Sequence, residues 1–169
     1  MIAAAIANSG YKVTPHFITR VEDSDGKVLF DTNAPVACAS CSNALVSADS
    51  AATSAATPKE VAEQVDVVIT MLPNSPHVKT VVLGKGGLIE GLTAGKTLID
   101  MSSIAPLASR EISDALKAKG VNMLDAPVSG GEPKAIDATL SVMVGGDKAI
   151  FEQYYDLLKA MAGSVVHTG

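Results

Sequence analysis

Asp125-Ala126-Pro127-Val128-Ser129-Gly130-Gly131-Glu132-Pro133 is the stretch on which the reading of this chain turns. It follows a short apolar run, Val121 to Leu124, that reads as a buried strand. Pro127 lacks a main-chain N–H, so the strand is expected to end and the chain to turn there. Gly130 and Gly131 allow backbone angles and close approaches that a side chain would block. Pro133 suits the first turn of a helix, where a missing N–H costs nothing. The expected product is a loop of small residues at a helix start, with amides free beside the Ser129 hydroxyl. Such a loop could hold a carboxylate through oriented N–H groups and the positive end of the helix dipole. A tight strand-to-helix turn that binds nothing accounts for the same residues equally well.

Working outward, strands and helices alternate. Thr57-Pro58-Lys59-Glu60 combines an N-cap, a first-turn proline and a capping-box glutamate. Asp66 to Leu72 has the continuous Val/Ile character of a strand covered on both faces. Ser75-Pro76 opens a short helix ending near Gly84. Thr97 to Asp100 reads as the next strand, and Pro106 to Lys119 as a helix with Ala108, Ile112, Ala115 and Leu116 on one face. Leu140 to Val144 is a further strand turned by Gly145-Gly146. Asp147 then caps a helix expected to bury Ile150, Tyr154, Leu157, Leu158 and Met161, and Ser164 to His167 is a last strand. This alternation implies an α/β fold with a mainly parallel sheet. Ligands of such sheets sit beyond the carboxyl ends of the strands. Three loops qualify: Met71-Leu72-Pro73-Asn74, Met101-Ser102-Ser103 and the Ser-Gly-Gly loop.

Before residue 57 the character differs. Residues 1–43 read as an arm, with a short helix over Ile2 to Ala7 and a β-hairpin in which Phe17 to Glu22 and Lys27 to Phe30 flank an Asp25-Gly26 turn. Residues 44–56, almost wholly Ala, Ser, Thr, Val and Asp, read as a linker.

The whole chain has 169 residues, 47% hydrophobic and 18% charged, a globular balance with room for a real core. A net charge of −5 without a Lys/Arg cluster offers no footprint for nucleic acid. No apolar run has the length of a membrane span, and the opening residues lack a basic signal-peptide start, so a cytoplasmic location is the expectation. Cys38 and Cys41 form a lone pair without a second ligand pair, and His16, His77 and His167 have no metal-ligand spacing. Gly91-Leu92-Thr93-Ala94-Gly95-Lys96-Thr97 resembles a P-loop but has one residue too few between its glycines and leads into a strand. No Gly-x-Gly-x-x-Gly occurs anywhere in the sequence.

From about Thr57 onward the chain resembles the β-hydroxyacid dehydrogenase family. The runs that carry the likeness are Ile69 to Asn74, Ile99-Asp100-Met101-Ser102-Ser103, Asp125 to Gly131 and Leu140 to Gly146. The resemblance implies a partial Rossmann-like sheet, the latter half of an NAD(P)-binding domain. It implies that Met71, Leu72, Pro73 and Asn74 line a nicotinamide dinucleotide, NAD or NADP, and that Ser103 touches it near the nicotinamide. It implies that Ser129, Gly130 and Gly131 hold the carboxylate of a small acid substrate. The reaction implied is hydride exchange between NAD(P)H and the aldehyde carbon of a short 3-oxo acid. Two departures stand out: no glycine-rich pyrophosphate loop, and no residue matching the family's catalytic lysine. They imply a fragment with little turnover alone, or a half completed by another copy or a complementing fragment through an exposed edge of the Asp66 to Leu72 strand. A noncatalytic binding module is the alternative. The segment before residue 43 shows a shorter likeness, to part of the class A penicillin-binding proteins.

Overall fold

In a computed structural model, the residues described are 20–22, 28–31 and 55–169. The helix expected over Ile2 to Ala7, the Asp25-Gly26 turn, Cys38 and Cys41 lie outside them, as does all but the end of the stretch read as a linker. The chain divides into two units, Met1–Ser54 and Ala55–Gly169. In the first, β1 (Arg20–Glu22) and β2 (Val28–Asp31) pair antiparallel, with Arg20 opposite Asp31 and Val21 opposite Phe30. The two strands of the expected hairpin are therefore present.

In the second unit the order is α1 (Pro58–Gln64), β3 (Val67–Thr70), α2 (Ser75–Leu83), α3 (Leu88–Gly91), β4 (Thr97–Asp100), α4 (Pro106–Lys117), β5 (Asn122–Asp125), β6 (Val128–Ser129), α5 (Gly131–Ile136), β7 (Leu140–Gly146), α6 (Lys148–Lys159) and β8 (Ala162–His167). The helix starts follow their capping residues. Thr57 Oγ1 accepts from Glu60 N at 3.2 Å, and Asp147 Oδ1 accepts from Ala149 N at 2.8 Å. Asn74, one residue before the expected start, caps α2 by accepting from His77 N.

Strands β3, β4 and β5 run parallel, with Thr70, Asp100 and Asp125 aligned at their carboxyl ends. β4 is buried along its whole length because strands flank it on both sides and helices cover both faces. Its consecutive residues point to opposite faces. Leu98 joins a core with Ala62, Val78, Val82, Leu88, Ile112 and Leu116, from α1 to α4. Ile99 joins a second core with Leu124, Val142, Val144, Phe151 and Leu158, beneath α6. The α6 face is centred on Phe151 (9% exposed) and Leu158, whereas Leu157, expected to be buried, is 39% exposed. One residue in a helix is a turn of about 100°, enough to carry Leu157 out of the stripe.

Pro127 does not turn the chain. Leu124 and Asp125 stand opposite Gly146 and Gly145 of β7, and beyond the proline Val128 and Ser129 stand opposite Val142 and Ser141. The register is unbroken, so β6 continues β5 along one edge of β7, while β8 pairs parallel on the other. Pro127 still accepts a hydrogen bond from Met143 N at 3.1 Å. Its ring fixes φ at a value an extended chain tolerates, so the ladder loses one N–H bond and continues. The turn comes instead at Gly130 (φ +140) and Gly131 (φ +64). Because β7 runs antiparallel to β5, the sheet is mostly rather than wholly parallel.

Candidate functional site

The carboxyl ends of β3, β4 and β5 form one edge, and hydrogen bonds extend it a step past each strand. Met101 N donates to Thr70 O at 2.8 Å, and Ala126 N donates to Asp100 O at 2.7 Å. Beyond this step the loops separate. Met71 (46% exposed), Pro73 and Asn74 are open to solvent, Leu72 is half-buried, and Ser103 is exposed. The Asn74 side-chain oxygen is committed to the α2 cap, accepting from His77 N at 3.4 Å. Beside this loop lies an apolar recess of about 250 Å³, lined by Leu72, Pro76, His77, Thr80 and Val81.

Beneath the edge lies Asp100, fully buried. Its Oδ1 accepts from Thr70 Oγ1 at 2.9 Å, from Ser102 N at 3.1 Å and from Ser102 Oγ at 2.6 Å. Its Oδ2 is buried without a hydrogen-bond partner. Ser102 Oγ in turn accepts from Leu72 N at 2.8 Å. One hydroxyl therefore joins the loop after β4, which continues into Ser103, to the loop after β3. Asp125, next to Asp100 in the register, has its carboxyl pKa raised. Burial is the main cause, the Asp100 charge adds to it, and a hydrogen bond with Ser109 opposes it.

The Ser-Gly-Gly loop stands apart, about 13 Å beyond Asp125 at ordinary strand rise. The Met143-to-Pro127 bond makes Ser129 and Ser141 the next hydrogen-bonded pair of an antiparallel ladder, so the Ser129 amide is occupied. The Gly130 and Gly131 amides have no acceptor among the described residues, and α5 has no side-chain cap. Ser129 and Gly131 are exposed. The aliphatic chain of Lys134 lies against Gly130, where an added Cβ would fall 2.6 Å from its Cδ. The helix that follows has six residues, so its dipole adds little, and the polar groups the loop presents are the two glycine amides and the Ser129 hydroxyl.

Taken together, the edge offers hydrogen-bond donors, hydroxyls and an apolar recess. Ser102 lay in one of the three loops expected to meet a ligand, whereas Thr70, Asp100, Ser109 and Asp125 were not singled out from sequence as site residues. The signal that could have found the two aspartates was present. Ile99-Asp100 and Leu124-Asp125 each end an apolar strand in an acid, which parallel pairing in register makes neighbours.

A family model for the NAD binding domain of 6-phosphogluconate dehydrogenase matches residues 2–169. That match takes in the first unit, and the likeness there to penicillin-binding proteins gains no support. The 2-hydroxy-3-oxopropionate reductase of Escherichia coli K12 is 39% identical over 118 residues, covering 70% of this chain and 40% of that protein. The NAD-dependent L-serine dehydrogenase of Pseudomonas aeruginosa is 40% identical over 118 residues, with the same shares. Among solved structures, a 3-hydroxyisobutyrate dehydrogenase from Salmonella typhimurium superposes with a TM-score of 0.60 at 34% identity, covering 66% of this chain and 39% of that one. The chain thus spans about 40% of the length of the curated relatives it matches. On the strength of the whole-chain match and of these relatives, the chain belongs to the family of NAD-binding domains found in 6-phosphogluconate dehydrogenase and the β-hydroxyacid dehydrogenases.

Proposed function

We propose that this chain forms the cofactor-side and substrate-carboxylate half of a dehydrogenase site for short 3-hydroxy or 3-oxo acids, of the tartronate semialdehyde type. The observation that carries the reading is the joined edge. Ser102 ties the Met71–Asn74 loop to the loop bearing Ser103, and the Gly130 and Gly131 amides are free farther along the adjoining strand.

The residues present fit one side of NAD or NADP: exposed loop backbone at the strand ends and an apolar recess against Leu72. A reduced nicotinamide held there would supply the hydride for reduction of an aldehyde carbon to an alcohol, the alkoxide oxygen taking its proton from solvent. Met71, Leu72, Pro73, Asn74 and Ser103 border the dinucleotide. The Ser129 hydroxyl and the amides of Gly130 and Gly131 orient the substrate through its carboxylate. No residue of this sequence matches the lysine that the family resemblance assigns to proton donation, and no Gly-x-Gly-x-x-Gly is present to seat the pyrophosphate. The proposal is therefore binding and orientation, with low turnover by these 169 residues alone. General-acid assistance of the kind that is missing is worth about 10²–10⁴-fold.

A second reading is a half-site completed in trans. What favours it is β3, which among the described residues pairs with β4 on one edge only. The test is calorimetric titration of the purified chain with NADH and NADPH, followed by an assay of tartronate semialdehyde reduction. Cofactor binding with little turnover supports the proposal. Absence of binding to both nucleotides overturns it, and rapid turnover by the chain alone overturns the claim of low activity.

A further inference from the structure

We propose that Ser102 is a positioning residue, a hydroxyl clamp that fixes the Met71–Asn74 loop against the loop bearing Ser103 at the spacing a dinucleotide needs. The dinucleotide part of this inference rests on the functional reading above; the clamp itself does not.

A serine hydroxyl has one proton to donate and lone pairs to accept with. The Leu72 N–H can only donate, so the Ser102 hydroxyl proton lies in the 2.6 Å contact with Asp100 Oδ1. That leaves the Ser102 oxygen facing the Leu72 N–H at 2.8 Å as an acceptor. Asp100 thus sets the direction of the clamp, and Ser102 transmits it. Asp100 is itself fixed from two strands, through Thr70 Oγ1 of β3 and the Ser102 amide after β4. The clamp acts where the main-chain ladder ends. Met101 N to Thr70 O is the last bond of that ladder, and past it a side chain continues the connection between the diverging loops. Leu72 is the residue of the Met71–Asn74 loop that lines the recess, and Ser103 follows Ser102 directly, so one oxygen sets the separation of both cofactor-facing segments.

The test compares the full chain with Ser102→Ala, Ser102→Thr and Thr70→Val by residue-resolved hydrogen exchange, melting temperature, and NADH and NADPH affinity. In Ser102→Ala, exchange of the Leu72 amide rises and NADH or NADPH affinity falls, each by about tenfold, the loss expected for one hydrogen bond. The Leu98 and Ile99 amides of the core strand keep wild-type exchange. Ser102→Thr, which retains the hydroxyl, restores Leu72 protection and affinity. Thr70→Val lowers the melting temperature by removing one donor to Asp100, and leaves Leu72 protection in place. Unchanged Leu72 exchange in Ser102→Ala, or an equal rise at Leu72, Leu98 and Ile99, would overturn the clamp while wild-type nucleotide binding stands. A wild-type chain that binds neither nucleotide would overturn the functional reading itself, with the exchange arm still deciding whether Ser102 orders the loop.

Discussion

Two buried polar side chains at opposite ends of β4 differ in how much of their polarity is satisfied. Thr97 is 1% exposed and its Oγ1 has no hydrogen-bond partner. A buried hydroxyl without a partner costs more than a methyl of the same shape. Thr97→Val is therefore expected to raise stability by about 1 kcal/mol in denaturant titration, and a loss of that size would contradict the assignment. At the other end three donors converge on Asp100 Oδ1, while its Oδ2, like Thr97 Oγ1, is buried without a partner. Its neighbour Asp125 has a raised pKa, caused first by burial, with the Asp100 charge a smaller contribution. Between the ordinary carboxylate value and that raised value, the folded chain holds a proton that the unfolded chain has released. The Asp125 contribution to stability therefore falls as pH rises through that window and is constant above it. Asp125→Asn keeps an acceptor for Ser109 and removes the titration. Its stability relative to the wild type should climb with pH through the window, as read by denaturant titrations at a series of pH values. A pH-independent difference would show that Asp125 ionises in the folded chain as it does in the unfolded one.

At the scale of elements, the turn after β6 is set by its glycines. Gly130 has φ +140 and faces the Lys134 chain, whereas Gly131 has φ +64 and only Pro133 Cδ within 4 Å of an added Cβ. The first conformation is almost closed to other residues, and the second is a left-handed region open to them at modest cost. Gly130→Ala is expected to destabilise by about 1–3 kcal/mol, and Gly131→Ala by about 1 kcal/mol, in thermal or denaturant unfolding. Equal effects would mean that the chain relaxes around Gly130. The same turn marks the limit of what local sequence conveys. Helix starts were legible because a cap acts within four residues, as at Thr57 and Asp147. The strands were legible from their Val/Ile runs. Pro127 was misleading because its effect depends on β7, a partner that arrives more than ten residues later. There the missing N–H removes one bond from a ladder that the Pro127 carbonyl still joins. Leu157 was misleading because Leu157 and Leu158 are adjacent and only packing against β7 and β8 decides which one faces inward.

For the whole molecule, strand order is what sequence alone did not convey, and the site depends on it. Met71–Asn74 and Ser103 could be assigned to strand ends from the alternation of elements. That Thr70, Asp100 and Asp125 stand side by side could be seen only once β3, β4 and β5 were paired in register. The result is an edge with two parts: a clamped pair of loops above β3 and β4, and a glycine turn farther out along the β5–β6 line. The account holds that the first part meets a nicotinamide dinucleotide and the second a small carboxylate. The most direct measurement is an amide NMR titration of the full chain, first with NADH and then with tartronate, a stable carboxylate related to the proposed substrate. The account predicts that NADH shifts the amides of Met71, Leu72, Asn74 and Ser103, and that tartronate then shifts those of Gly130 and Gly131. Shifts confined to residues away from the strand ends, or no shift with either compound, would contradict it.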